Sequence, residues 1–338
     1  MRISIIINNM HGGGAERVAL TLINSFINAG HTVRLVLFKR EGALMSQIPQ
    51  KAQLSVLDCS PSIFVALNPF SALRMWFKKL NRWGDSDVLL CFSSKVNRAV
   101  LLANIFAKTN VPIIITEHNV LSKDIAERHF FRRIYLLFMS KWLYKKADAF
   151  VATSDYVRND AIKLGVIKEE RSHYIHNPIV LKSDLKESLH PWFENCALEV
   201  VLSAGSFFRV KDYPTLIRAF ALLNKKRPQT RLVILGEDSK KSRAEKLVKE
   251  LNLKEYVNLL GFRNTSQYMK FAKIFVCSSK HEAFSLVIGE ALSSGLNVVS
   301  TDCGGPAELL EDGKYGWLAP VGDFNALASA MEEAINNP

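Results

Sequence analysis

Short apolar runs rich in Ile, Val and Leu recur along this chain. Each is followed by a longer stretch in which apolar residues return every three or four positions. The runs at 3–8, 33–38, 87–92, 112–116 and 148–153 predict buried strands, and stretches such as 15–29 and 129–146 predict amphipathic helices. A second series of strands follows at 198–204, 230–235, 257–260, 274–277 and 297–300, with helices near 213–226, 240–252 and 285–294. Strand–helix alternation of this kind predicts parallel sheets covered by helices on both faces. It occurs twice. Between the two series, 177–196 contains Pro178 and Pro191 and lacks periodicity, which marks a junction. The expected architecture is α/β: a Rossmann-like doubly wound domain over 1–177, a linker over 178–196, and a second such domain over 197–338, facing each other across a cleft. Open parallel sheets hold their ligands at the carboxyl ends of the strands.

A length of 338 residues suits two domains. The five cysteines (Cys59, Cys91, Cys196, Cys277, Cys303) are scattered and form no C-x-x-C pair, so a structural zinc site is not expected and a reducing compartment is. The first apolar run stops at Asn8-Asn9, too early for a signal peptide, and nothing approaches the ~18 apolar residues of a spanning helix. The expected location is cytoplasmic, with peripheral contact at the inner face of the cytoplasmic membrane.

Charge sharpens that expectation. Residues 1–180 hold 24 basic and 13 acidic side chains, whereas 181–338 hold 20 and 19, so the first half carries nearly all of the +12 excess. Such a field attracts a polyanion or an anionic lipid surface; solubility alone is the plainer account. Two stretches couple it to apolar stripes. Between Pro69 and Trp83, Phe70, Leu73, Phe77 and Leu80 share one stripe while Arg74, Lys78 and Arg82 form another. In 129–146, Phe131, Ile134, Phe138 and Trp142 lie among Arg132, Arg133, Lys141, Lys145 and Lys146. The stripes suit either an anionic bilayer interface or packing on the domain's own sheet. The basic residues are spread over helices without a recognition motif, so nucleic acid is not expected.

Three segments carry candidate chemistry. His11-Gly12-Gly13-Gly14-Ala15-Glu16-Arg17 follows the first strand, where glycines let backbone N–H groups and a helix N-terminus face an anion. It is not G-x-G-x-x-G, and no acid ends the second strand to hold a ribose, so a purely structural turn stays open. His118 follows the strand 112–116; it would serve a substrate hydroxyl or proton transfer, or simply the core. The third segment runs His281-Glu282-Ala283-Phe284-Ser285-Leu286-Val287-Ile288-Gly289-Glu290. Ser285 reads as the N-cap of a helix whose first free N–H groups, near Leu286 and Val287, suit a phosphate. Glu282 would then take sugar hydroxyls and Glu290 a ribose diol, unless both face solvent.

Together these segments resemble glycosyltransferase family 4, retaining, metal-independent nucleotide-sugar transferases of GT-B architecture, over nearly the whole chain. The resemblance rests on Gly12 through Arg17, on Glu282 through Glu290 as E-x(7)-E, on Gly295 through Glu308, and on Asp312-Gly313 through Gly316. It implies that Glu282 contacts the donor sugar, Glu290 the ribose, and the backbone from Phe284 through Ser285, Leu286 and Val287 the diphosphate. Gly13 and Gly14 belong to the same donor set, and His118 matches the histidine beside the sugar. The catalytic set is His118, Lys211 and Glu282. Two departures stand out. The family's Gly-Arg-x-x-x-x-Lys reads here Gly205-Ser206-Phe207-Phe208-Arg209-Val210-Lys211, which leaves Lys211, with Arg209 as the candidate substitute, to carry the phosphate charge. The chain also stops at Pro338, soon after 326–335, where relatives continue into a helix that crosses back to the first domain.

The activity implied is transfer of a hexosyl or N-acetylhexosaminyl unit from a nucleoside-diphosphate sugar, by analogy a UDP-sugar, to a glycan acceptor. A lipid-linked acceptor fits the charge and the stripes, as in bacterial polysaccharide, lipopolysaccharide or glycoprotein glycan assembly. No cofactor or metal is expected. The alternatives are a nucleotide- or glycan-binding protein without turnover and a GT-B sugar-nucleotide epimerase.

Overall fold

The computed structural model describes residues 1–61, 85–181, 188–236 and 241–337. The chain divides into two compact units, Met1–Pro178 and Ile179–Pro338. Residues 188–196, within the expected linker, count with the second unit, where buried Phe193 meets the Tyr268 ring edge-on at 5.1 Å.

The first unit is built on seven strands: β1 (Arg2–Ile7), β2 (Thr32–Leu37), β3 (Gln53–Val56), β4 (Val88–Phe92), β5 (Ile113–Glu117), β6 (Ala149–Ala152) and β7 (Ser172–Tyr174). Their order is β3-β2-β1-β4-β5-β6-β7, and every pairing is parallel. Ile5, Ile6, Ile7, Leu35, Val36 and Leu37 are all sealed from solvent, as expected of strands covered on both faces. The described helices are α1 (Gly14–Asn28), α2 (Ser94–Ala107), α3 (Leu121–Ala126), α4 (Phe130–Tyr144) and α5 (Asp155–Lys163). The stripe at 69–83 lies outside the described residues.

The second unit has six parallel strands in the order β10-β9-β8-β11-β12-β13. They are β8 (Glu199–Ala204), β9 (Thr230–Leu235), β10 (Val257–Gly261), β11 (Ile274–Cys277), β12 (Asn297–Thr301) and β13 (Trp317–Ala319). Its described helices are α6 (Tyr213–Lys226), α7 (Ser242–Glu250), α8 (Thr265–Met269), α9 (Leu286–Ser293), α10 (Gly305–Leu309) and α11 (Phe324–Asn336). Leu216, Ile217, Phe220 and Leu223 of α6 pack with Leu327, Met331 and Ala334 of α11 in the core on one side of this sheet.

Each sheet therefore has a switch point, between β1 and β4 and between β8 and β11, where successive crossovers leave in opposite directions. Three strands absent from the sequence reading, β3, β7 and β13, are short edge strands of four, three and three residues. They carry too little apolar pattern to register alone.

The loop after β12 fixes the loop after β11. Glu282 N–H donates to the Cys303 carbonyl (3.3 Å), and Gly305 N–H donates to the Glu282 carbonyl (3.1 Å). A β-carbon on Gly305 would lie 2.5 Å from the Ala283 carbonyl carbon and oxygen, so only glycine allows this approach. Gly305→Ala is expected to lower stability by about 1–3 kcal/mol, the usual cost of forcing atoms into a packed site. Thermal denaturation checks this; an unchanged melting temperature would show that the two loops are not clamped.

Candidate active site

The two loops flanking the second switch point are joined by their own chemistry. From β8 the chain turns through Gly205 to Lys211 and enters α6; from β11 it runs through 278–285 into α9. Ser278 Oγ donates to the Lys211 carbonyl (2.8 Å), and Lys280 N–H donates to the Val210 carbonyl (2.7 Å). The Lys211 ammonium meets the Glu282 carboxylate, and Ser279 Oγ donates to the same Oε1 (2.8 Å). Only 20% of the Lys211 side chain and 15% of Glu282 remain exposed. Burial by itself would lower the Lys211 pKa, but the Glu282 carboxylate outweighs it and holds the ammonium above the usual lysine range. The sequence reading gave these two residues separate tasks, on phosphate and on sugar. The structure seats them as one ion pair.

Neither carboxylate of E-x(7)-E faces solvent. Glu290 is buried, and its Oε2 accepts from Thr265 Oγ1 at 2.6 Å. Thr265 opens α8 after β10, so strand order brings it to α9 across 25 residues of sequence.

The start of α9 corrects one expectation. Ser285 stands at the N-cap, but at φ 81° and ψ 84° its hydroxyl makes no capping bond. N-capping needs an extended residue, and a left-handed one aims its side chain away from the second and third N–H groups. Ser285 Oγ is instead buried without a hydrogen-bond partner, beside the first turn of a helix whose leading N–H groups have no intrahelical acceptor. Leu286 and Val287 are partly exposed there, and Phe284 is buried. Arg209 is exposed, on a short 3-10 turn with Lys211.

In the first unit His118 follows β5. Its ring stacks on Phe92 of β4, with centroids 5.1 Å apart and planes 17° apart. Nε2 shares a hydrogen bond with Thr116 Oγ1 (3.0 Å), which itself donates to the Cys91 carbonyl (2.9 Å). Nδ1 is shut from water with no partner. Burial drives the His118 pKa down to about 4, so the ring is neutral at ordinary pH.

Beside it lies a polar cluster that the sequence reading missed. Glu117, fully buried, accepts from Ser94 Oγ (2.9 Å), Asn97 Nδ2 (3.0 Å) and the Tyr144 hydroxyl. Buried Arg98 donates to Ser140 (3.2 Å). Burial pushes the Glu117 pKa up to about 7, against the pull of these donors and of the Arg98 charge. The one available signal was a glutamate ending an otherwise apolar strand.

At the glycine loop, α1 begins at Gly14 with Gly13 as its cap. The Glu16 carboxylate folds back over Gly13, with one oxygen 2.6 Å from where a β-carbon would stand. Its pKa is raised by burial and lowered in part by its own backbone N–H and by His11. The helix N-terminus already faces a carboxylate, so an incoming anion competes with Glu16. Among the described residues, no three His, Cys, Asp or Glu side chains gather as a metal-ligand set.

The chain is similar in sequence and in fold to known proteins. The family model for Glycosyltransferase Family 4 matches residues 12–183, and that for Glycosyl transferases group 1 matches residues 191–338. The chain is 31% identical over 345 residues to the N-acetylgalactosamine-N,N'-diacetylbacillosaminyl-diphospho-undecaprenol 4-alpha-N-acetylgalactosaminyltransferase of Campylobacter jejuni, covering 99% of this chain and 90% of that one. It is 27% identical over 348 residues to an alpha-1,4-N-acetyl-D-galactosaminyltransferase of the same organism, named for a diNAcBac-PP-undecaprenol-linked substrate, covering 100% and 89%. The crystal structure of Anabaena HepE in complex with UDP and glucose superposes with a TM-score of 0.80 at 20% identity, covering 100% of this chain and 90% of that one. The crystal structure of WaaG, a glycosyltransferase involved in lipopolysaccharide biosynthesis, gives 0.76 at 18% identity, covering 99% and 90%. With the two parallel sheets, these likenesses identify the GT-B fold.

The two perturbed groups on β5 and just after it predict opposing pH dependences. Glu117, raised in the fold, contributes stability that is complete below about pH 4.5 and lost as pH rises towards 7. His118, depressed in the fold, contributes stability that is complete above about pH 6.5 and lost as pH falls towards 4. Glu117→Gln should therefore leave a melting temperature that climbs between pH 5 and 7, and His118→Gln one that declines over the same interval. Parallel curves for wild type and both variants would overturn these assignments.

Proposed function

The chain belongs to glycosyltransferase family 4, and on that premise we propose that it is a retaining, metal-independent transferase for a UDP-linked N-acetylhexosamine or hexose. We place it at the inner face of the cytoplasmic membrane, where it extends a polyprenyl-diphosphate-linked glycan. The names of the two Campylobacter relatives, both N-acetylgalactosaminyltransferases of undecaprenol-linked substrates, favour that acceptor class and an N-acetylhexosaminyl donor.

One observation carries the reading. A partly buried lysine and an open helix N-terminus with an unpartnered hydroxyl stand on the two neighbouring loops at the switch point of the second sheet. Such a pairing fits a diphosphate. Before the donor arrives, Glu282 neutralises Lys211, so neither buried charge is left uncompensated. The donor diphosphate would then draw Lys211 towards itself and release Glu282 to accept sugar hydroxyls. Glu290, held by Thr265, would receive the ribose diol.

In the reaction, the bond between the anomeric carbon and the diphosphate oxygen breaks. The acceptor hydroxyl oxygen bonds to the same face of that carbon, and its proton passes to a leaving phosphate oxygen. Charge grows on the leaving group as this happens. Lys211, the N–H groups of Leu286 and Val287 and the Ser285 hydroxyl would stabilise it in place. With Ser206 where relatives carry arginine, Lys211 is the main cation in this scheme and exposed Arg209 the auxiliary one. Neutral His118 would serve as a hydrogen-bonding group for the sugar and not as the base, consistent with its depressed pKa.

Lys211→Ala is expected to reduce kcat by about 10²-fold or more, the scale for losing one preorganised charge at a developing anion. UDP-sugars, but not GDP- or ADP-sugars, should raise the melting temperature, with and without EDTA, and Glu290→Ala should abolish that shift. Full turnover by Lys211→Ala would remove the lysine from its role. Loss of transfer in EDTA would overturn metal independence.

A further inference from the structure

The sequence left open whether the aromatic face of 129–146 packs inward. The structure decides it. Helix α4 buries Leu136, Ser140, Leu143 and Tyr144, and turns its bulkiest apolar side chains outward. Phe131 is 83% exposed, Phe130 67%, Phe138 66% and Ile134 53%, with Trp142 and Tyr135 also exposed. Phe130, Ile134, Phe138 and Trp142 repeat every four residues and Phe131 and Tyr135 form the adjoining row, so the six make one continuous face.

The charged residues of the same segment are all basic. Residues 128–147 contain Arg128, Arg132, Arg133, Lys141, Lys145 and Lys146 and no acid. Five of these are exposed; Arg128 is paired with Asp124 at 2.9 Å. Lys146 places its ammonium over the Trp142 ring, 5.6 Å from its centre, so a cation caps this apolar body.

We propose that the outward face of α4 is an interfacial anchor that lies in the headgroup region of an anionic bilayer. The aromatic rows would sink among the acyl chain ends while the flanking cations meet lipid phosphates. Charge selects this occupant over a second copy of the chain, because symmetric pairing of the face would bring two sets of uncompensated cations together. The inner side of the helix makes the anchor rigid. Tyr144 donates to Glu117, which ties α4 to the strand that ends beside His118, and Ser140 accepts from Arg98, which ties it to α2. The anchor rests on α4 alone. The proposed lipid-linked acceptor gives it a purpose, but the test does not depend on transfer.

The test is flotation of the full chain with vesicles of phosphatidylethanolamine and phosphatidylglycerol, against vesicles of phosphatidylcholine alone. Wild type should float with the anionic vesicles and less as salt is raised. Phe131→Ser with Phe138→Ser should weaken binding by about tenfold or more, and Lys141→Gln with Lys145→Gln by about fivefold per charge. Trp142 emission, taken as the difference from Trp142→Phe, should shift to the blue on adding anionic vesicles. These positions are exposed, so the variants should keep the wild-type melting temperature and UDP-sugar binding, which separates loss of the anchor from loss of the transferase. Absence of flotation by wild type, or flotation of both variants at its level, would overturn the proposal. A dimer in light scattering that the Phe131→Ser, Phe138→Ser variant dissolves would overturn it in favour of self-association.

Discussion

All strands in both sheets run parallel, and the chemistry follows from that constraint. A parallel pair needs a crossover between its strands, so the loops leading out of a sheet gather along one edge. At the switch point of the second sheet, crossovers depart to opposite sides and leave the loops after β8 and β11 side by side. Lys211 and Glu282, separated by 71 positions, become an ion pair for this reason. The same rule in the first unit sets His118, after β5, against Phe92 at the end of β4.

The edge so formed carries cost that packing does not relieve. Ser93, Asp212 and Ser285 adopt left-handed backbone at the turns into α2, α6 and α9, with φ of 78°, 44° and 81°. Residues other than glycine are strained there, and such strain concentrates at functional positions. Two buried polar atoms, Ser285 Oγ and His118 Nδ1, also lie at these carboxyl ends without partners. Buried polar groups are ordinarily satisfied, and under the proposed function a ligand would supply the partners that these two lack. The Lys211–Glu282 pair is the charged counterpart: under the proposed function a bound donor would separate the two groups and take each for its own task.

Helix α4 joins the two levels of the first unit. Its inner side supplies Tyr144 to the buried carboxylate of Glu117, and its outer side carries the aromatic rows. A helix anchored through buried polar contacts can present an apolar face without needing that face for its own stability. The outward residues are therefore available for a surface, and the basic residues around them specify its charge.

The sequence by itself determined the two-fold α/β pattern, the central strands, the loop motifs and the family. Each of these is written in local periodicity or in the spacing of a few neighbours, which need no distant partner to be read. Edge strands β3, β7 and β13 were not legible, since so few residues gain strand character mainly from the neighbour they pair with. The partners of the key side chains were not legible either: Lys211 with Glu282, Glu290 with Thr265, and Glu117 with Ser94, Asn97 and Tyr144 meet only because of strand order. The orientation of α4 was likewise decided in three dimensions. Its sequence is apolar almost all round, and only the packing of Leu136, Leu143 and Tyr144 inward leaves Phe131 and Phe138 facing out.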